Sequence, residues 1–327
     1  AKLVANHLGT DHHDMYVSSK DALNVLPLLP DMFDEPFADS SQIPMYLVSK
    51  IAKSKVTVCL SGDGGDELFG GYNRYLVASK LWNKISKIPK PGKSALAYII
   101  KSVKPSVWDK ISDLLYKNKY SNIGYKLHKG ADSLQSKNID DLYFNLISTI
   151  KNPTEWLINS EEHSNTNYNF DPKISGIERM MIKDLVGYLP TDILTKVDRT
   201  SMAVSLEART PFLDKEIVKF ALTLPEEYKI KAEVGKSVLR DVLYKYVPKD
   251  MIERPKMGFG VPLAEWMRGE LRVWCEDLLN EKKLNDDGFF NSKLIREKWN
   301  EHLKGDVDWH HELWNVLIFQ AWLENNR

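Results

Sequence analysis

The pattern of apolar and polar positions divides the 327 residues into a mixed opening and a helical remainder. In AKLVANHLGTDHHDMYVS the apolar positions keep helical spacing as far as Gly9, and a glycine just past such a run is the usual left-handed cap. A short extended stretch is predicted over Asp14 to Val17. The segment from Ser19 to about Phe33 is amphipathic but interrupted by Pro27 and Pro30. DEPFADSSQIP (34–44) has turn chemistry, and PMYLVSKIAKS (44–54) returns to helical period. VTVCLSG (56–62) is a β-branched apolar run without alternation, which suits a strand buried on both faces of a parallel sheet. DELFGGYNRYLVASKLW (66–82) opens another helix.

Helix, strand, helix, strand, helix in that order predicts a parallel sheet with crossover helices. Two strands are a poor core by themselves, so the pattern also predicts a chain that begins partway through a domain. From about residue 95 the period is helical, as in ISGIERMMIKDLVGYLP (174–190), KEIVKFALTLP (215–225), KSVLRDVLYKYVP (236–248), PLAEWMRGELRVWCEDLLN (262–280) and HELWNVLIFQAWLENN (311–326). Residues 130–172, rich in Ser, Asn and Asp, are expected to form a long or mobile connection.

Composition adds mainly exclusions. Lys+Arg 45 against Asp+Glu 45 leaves no net charge, and a nucleic-acid partner is not suggested without a basic excess or stripe. KNK (117–119) and KIPKPGK (87–93) read as solvated loops. Cys59 and Cys275 lie far apart, so neither a thiolate metal site nor a disulfide framework is supported. No apolar run approaches the roughly 18 residues of a membrane span, and the start has no signal-peptide pattern. A cytoplasmic chain with no membrane contact is the expectation.

LSGDGGDELFGGY (60–72) is where chemistry concentrates. It places Ser61, Asp63, Asp66, Glu67 and several glycines where a strand's carboxyl end meets a helix start, the usual ligand position in an open parallel sheet. Gly62, Gly64 and Gly65 let the backbone approach a ligand and offer N–H groups to an anion. Without a lysine the loop is not a Walker-type cradle. A carboxylate about 4–5 Å from a phosphate charge costs on the order of 3–4 kcal/mol at an effective dielectric near 20. Three acids would therefore repel a bare triphosphate unless a divalent cation lay between, and Mg²⁺ typically takes one or two carboxylates plus substrate phosphates. The bland alternative is an acidic turn whose Asp66 and Glu67 merely favour a helix N-terminus. The spacing of a Ca²⁺ loop is absent.

LSGDGGDELFGGYNRY resembles the asparagine synthase signature, in which a strand delivers S-G-x-G-x-D-E into an ATP site. DEPFADSSQIP (34–44), LTKVDRTSMAVSLEARTPFLD (194–214) and GKSVLRDVLYKYVPKDMIERPKMGFGVPL (235–263) are similar to the same family in the same order. HELWNVLIFQAWL (311–323) matches in character, and the patch from about 85 to 170 is weaker. The chain thus resembles the C-terminal synthetase domain of glutamine-hydrolysing asparagine synthetases. The resemblance implies an α/β fold: a partial adenine nucleotide alpha hydrolase-like (Rossmann-like) parallel sheet with helices over 1–90, then a mainly helical remainder over 91–327. It implies adenylation of aspartate by MgATP with release of pyrophosphate, followed by attack on β-aspartyl-AMP by ammonia that a glutaminase domain makes from glutamine.

Carried over by motif, Leu60, Ser61, Gly62, Gly64 and Gly65 would hold the nucleotide and Asp66 would ligate Mg²⁺. Asp63 falls at the signature's variable position and would position or deprotonate the amine. Lys256 in ERPKMGF would stabilise the adenylation transition state, with Arg254 and Gly258 shaping its loop. Asp192 lies near a position where a β-lactam-forming relative has an acid that pairs with its tyrosine, which makes it a further catalytic candidate. Ser40, Ser41 and Pro44 are candidates to line the aspartate or nucleotide pocket, and Glu207, Arg209 and Asp214 read as buried ion pairing. His12 and His13 read as surface, the terminal Trp and Tyr residues as core.

Two family features have no counterpart in these 327 residues: the glutaminase domain with its terminal cysteine, and the S-G-G-x-D-S pyrophosphate loop. The expectation is that this polypeptide alone turns over no ATP, which ATP–pyrophosphate exchange tests. A superfamily member amidating another carboxylate, such as a surface-polysaccharide sugar acid, and a non-catalytic homologue are the competing readings. An uncovered parallel edge would favour a homodimer.

Overall fold

A strand forms within VTVCLSG over Val58–Leu60 (β1), but the predicted burial on both faces is absent: Val58 and Leu60 are exposed and Cys59 is half-buried. The partner of β1 is not the stretch at 14–17, none of whose described residues is strand, but Glu207–Arg209 (β2). The two run parallel, with Val58 opposite Glu207 and Leu60 opposite Arg209. EAR carries no apolar run, so periodicity could not mark it as a strand. Among the described residues the sheet has these two strands and everything else regular is helix. The computed structural model describes residues 2–14, 16–116, 123–150, 152–161, 170–253, 260–305 and 307–327.

The chain divides into two compact units, and the division does not follow chain order. One unit gathers Ala1–Glu35, Asp39–Leu76 and Ile177–Val261. It contains the sheet, the glycine turn and the helix Gln42–Lys53, which packs on Thr195–Met202. The helix expected over 66–82 breaks in two, Gly65–Phe69 and Asn73–Ile85, because Gly70 turns the chain at φ +66°. Leu68 and Phe69, both buried, pack with Ala221, Phe212 and Leu213. Phe69 and Phe212 meet edge to face with ring centroids 6.0 Å apart. Each such side chain contributes about 1.5–3 kcal/mol by leaving water, which fixes the turn on one side.

The other unit gathers Pro36–Ala38, Val77–Gly176 and Pro262–Arg327. Its helix Ile139–Ile147 lies inside the stretch expected to be a connection: Asn138 caps it by accepting the Asp141 N–H at 2.8 Å, while Ile139, Leu142 and Tyr143 are buried. KIPKPGK is likewise not all loop, since a helix opens at Lys90. KNK lies outside the described residues. Trp299 and Trp314 are fully buried, as the pattern of the last helices predicts. Cys59 and Cys275 are both free thiols. Among the described residues no helix is long and apolar enough to cross a membrane.

Candidate functional site

The glycine turn extends the sheet. The Ser61 N–H donates to the Arg209 carbonyl at 2.8 Å, one residue past Leu60, whose own side chain is 74% exposed. The chain then turns at Gly64, φ +86°, and enters the short helix Gly65–Phe69. A Cβ on Gly64 would overlap the Leu213 side chain, and one on Gly65 would press on the Phe212 ring at 3.3 Å. A Cβ on Gly62 would meet nothing within 4 Å. Gly64 and Gly65 therefore serve the packing of the turn, whereas Gly62 leaves its backbone open to a ligand.

The acids of the turn have separate partners. The Ser61 hydroxyl donates to the Asp63 carboxylate and accepts the Asp63 N–H at 3.2 Å. Asp66 meets the Lys236 ammonium at 3.0 Å. Lys236 has φ +57°, and its N–H donates to the Phe69 carbonyl at 2.9 Å. A left-handed conformation costs an L-residue about 1–2 kcal/mol, so packing holds this lysine beside Asp66 against a local preference. No sequence signal pairs residues 66 and 236; the contact is purely tertiary.

A polar chain leads from the turn. Glu67 is buried and accepts the Tyr72 hydroxyl at 2.6 Å. Burial pushes its carboxyl up, the Tyr72 donation opposes this, and the Asp66 and Asp184 charges add to the rise. Asp184, also buried, accepts both the Arg74 guanidinium and the Tyr75 hydroxyl at 2.7 Å. The Arg74 guanidinium lies over the Tyr72 ring at 4.0 Å and the Tyr188 ring at 4.6 Å. Burial, then the Asp192 charge, pushes the Tyr188 phenol up.

Asp184–Leu194 is a wide, π-type turn of helix around Pro190, a form enriched at functional sites. It carries Tyr188 and Asp192 four residues apart and so ends the polar chain on Asp192. Lys196 lies 3.6 Å from Asp192 and bonds directly to Asp39. Burial and then the Asp39 charge push the Asp192 carboxyl up to about 7. Burial also raises Asp39, but the Lys196 ammonium and the two Ser41 donors outweigh it and hold that carboxyl below its ordinary value. Asp39, Lys196, Tyr188, Arg74 and Lys236 are site groups that the sequence did not single out, although all but Tyr188 lie inside the family-like stretches. Only Lys196 had a local cue, its helical i+4 spacing from Asp192.

Leu60, Ser61, Gly62, Asp63, Gly64, Gly65 and Asp66 thus share one turn, with Asp192 at the far end of the polar chain. Lys256, Arg254 and Gly258 lie outside the described residues. Glu207 and Arg209 do pair, at 2.7 Å, but the expected burial is absent: period 2 puts both on one solvent-facing side of β2, and both are exposed. Asp214 instead caps the helix Lys215–Thr223 by accepting the Glu216 N–H at 2.9 Å.

The asparagine synthase family profile matches residues 1–324. The chain belongs to the asparagine synthase family. Asparagine synthetase [glutamine-hydrolyzing] 1 of Bacillus subtilis is 31% identical over 328 residues, covering 98% of this chain and 49% of its own length. A Mycobacterium tuberculosis relative is 30% identical, covering 97% of this chain and 47% of its own. Asparagine synthetase [glutamine-hydrolyzing] 3 of Bacillus subtilis is 26% identical, with 90% and 41% covered. The chain spans about half the length of these curated relatives, and the similarity runs through both units.

Proposed function

We propose that this chain carries the amide-forming half of an asparagine synthetase: ATP-dependent amidation of aspartate through β-aspartyl-AMP, with ammonia derived from glutamine. The observation that carries the reading is the turn after β1, which holds both an accessible Gly62 backbone and Asp66, the latter paired with the ammonium of Lys236. Among the described residues no three His, Cys, Asp or Glu side chains gather as a protein-only metal site. One carboxylate on an open turn is instead the donor set that suits Mg²⁺, which keeps waters and phosphate oxygens as its other ligands. Asp66 would hold that ion, and the ion would neutralise pyrophosphate charge. Lys236 would move from Asp66 to a phosphate oxygen when nucleotide enters. Leu60, Ser61, Gly62, Gly64 and Gly65 would frame the nucleotide through their backbones. Asp63 and Asp192 would handle the amine, and Lys256 would act on the phosphoryl group.

In this proposal the nucleotide-binding portion expected over 1–90 has a Rossmann-like sheet to which β2 belongs, so that residues from 177–261 complete it. These 327 residues alone, holding no S-G-G-x-D-S loop, would not turn over ATP. The deciding experiment uses the intact gene product containing these residues with MgATP, ammonium and [4-¹³C]aspartate. Amide carbon appearing with AMP and pyrophosphate supports the reading. ADP in place of AMP overturns the adenylate, and amidation of another carboxylic acid but not aspartate overturns the substrate.

A further inference from the structure

Asp39 and Asp192 face a single ammonium, that of Lys196, and their environments differ. The Asp39 carboxylate accepts the Ser41 N–H at 2.9 Å, the Ser41 hydroxyl at 2.8 Å and the Lys196 ammonium. Asp192 stays 3.6 Å from that ammonium, beyond good hydrogen-bond reach, and its Oδ1 is buried with no hydrogen-bond partner among the described residues. The Asp39 carboxyl is a second polar neighbour, close enough to share a hydrogen bond with Asp192. Two carboxyls touch favourably only with a proton between them, because one lysine cannot neutralise two half-buried carboxylates side by side. The other groups facing Asp192 do not change this balance. Tyr188, on its own helix, stays a neutral phenol, and the Arg74 guanidinium is committed to Asp184 at 2.7 Å.

We propose that Asp39 is a positioning residue for Asp192: it claims the Lys196 ammonium and both Ser41 donors, becomes the fixed anion, and leaves Asp192 as the group that takes up and releases the shared proton. This rests on the amide-forming reading above. In that step the nitrogen lone pair makes the C–N bond, and the C–O bond to the adenylate breaks with AMP keeping its electron pair. The surplus proton on nitrogen passes to the Asp192 carboxylate. Asp39 touches neither reactant and acts through Asp192.

The test is carboxyl ¹³C NMR of the protein labelled with [4-¹³C]aspartate, titrated across the neutral range without nucleotide. One aspartate should titrate near neutrality and vanish in Asp192→Asn. In Asp39→Asn that midpoint should fall by about one pH unit or more, because the repelling anion is gone and Lys196 turns to Asp192. A midpoint unmoved by Asp39→Asn, or an Asp192 that titrates in the ordinary carboxylate range, overturns the proposal. Should Asp39→Asn fail to fold by circular dichroism, Ser41→Ala decides: it weakens the Asp39 anion, shifts the proton toward Asp39 and lowers the Asp192 midpoint, and no change overturns the idea. The titration needs no substrate, so it fails separately from the amidation assay.

Discussion

Replacing Gly64 and Gly62 one at a time by alanine separates what the glycine turn needs to fold from what it leaves open. At Gly64 the new side chain meets two penalties. The φ of +86° is left-handed, which costs an L-residue about 1–2 kcal/mol. The added Cβ also displaces Leu213, whose Cγ would lie 3.0 Å away, an overpacking that typically costs about 1–3 kcal/mol. Together these predict a loss of roughly 2–5 kcal/mol. At Gly62 neither penalty applies, and the change should stay within about 0.5 kcal/mol of wild type. All nine tryptophans belong to the unit without this turn, so tryptophan fluorescence would report the wrong transition. Hydrogen exchange read by mass spectrometry on peptides spanning 56–76, at increasing urea, reports the turn itself. If Gly64→Ala exchanges like wild type, the left-handed turn packed against Leu213 is not the native conformation and the reasoning fails. Gly62→Ala, stable yet deficient in MgATP-dependent protection of the same peptides in the intact gene product, would place the nucleotide at the open backbone.

Asp184→Asn removes the charge that answers Arg74 and weakens the Tyr75 bond, and should cost about 2–3 kcal/mol by urea denaturation, discounted because Arg74 is partly solvated. Asn138→Ala strips an N-cap in the other unit and should cost about 1 kcal/mol, visible this time by tryptophan fluorescence. Stability should also carry two opposed pH dependences. Asp192, raised to about 7 when folded, contributes fully in acid and loses that contribution as pH rises through about 7. Asp39, held low, contributes above the ordinary carboxylate range and loses it as pH falls. Asp192→Asn should therefore abolish the decline in urea midpoint between about pH 4 and about pH 7 while leaving the more acidic limb, and a wild type with no such decline refutes the assignment.

Local pattern made some of this legible. Apolar spacing and helix punctuation located the helices around Lys2–Leu8 and Gln42–Lys53, and a β-branched run located β1. It failed where tertiary contact decides. β2 is three residues with no apolar signature, a strand only because β1 lies beside it. The single helix expected over 66–82 is two, because Gly70 at φ +66° ends one before the next begins. The motif singled out Ser61 to Asp66, whereas Lys236 sits unmarked in another family-like stretch, because its relation to Asp66 exists only after folding. Asp39 is one acid in a turn-rich stretch until Lys196 and Ser41 give it partners.

The parallel pair joins residues 58–60 to residues 207–209, and this has a consequence for how the protein comes into being. On the ribosome, β1 and the turn behind it emerge long before the strand that pairs with them. The nascent chain must keep a short apolar strand unpartnered while the next helices are synthesised, and the entropy of closing so long a loop falls late on the folding path. The native geometry around Gly62 should thus be among the last features acquired during synthesis, and β1 the point at which a slowed or interrupted translation product is most prone to associate.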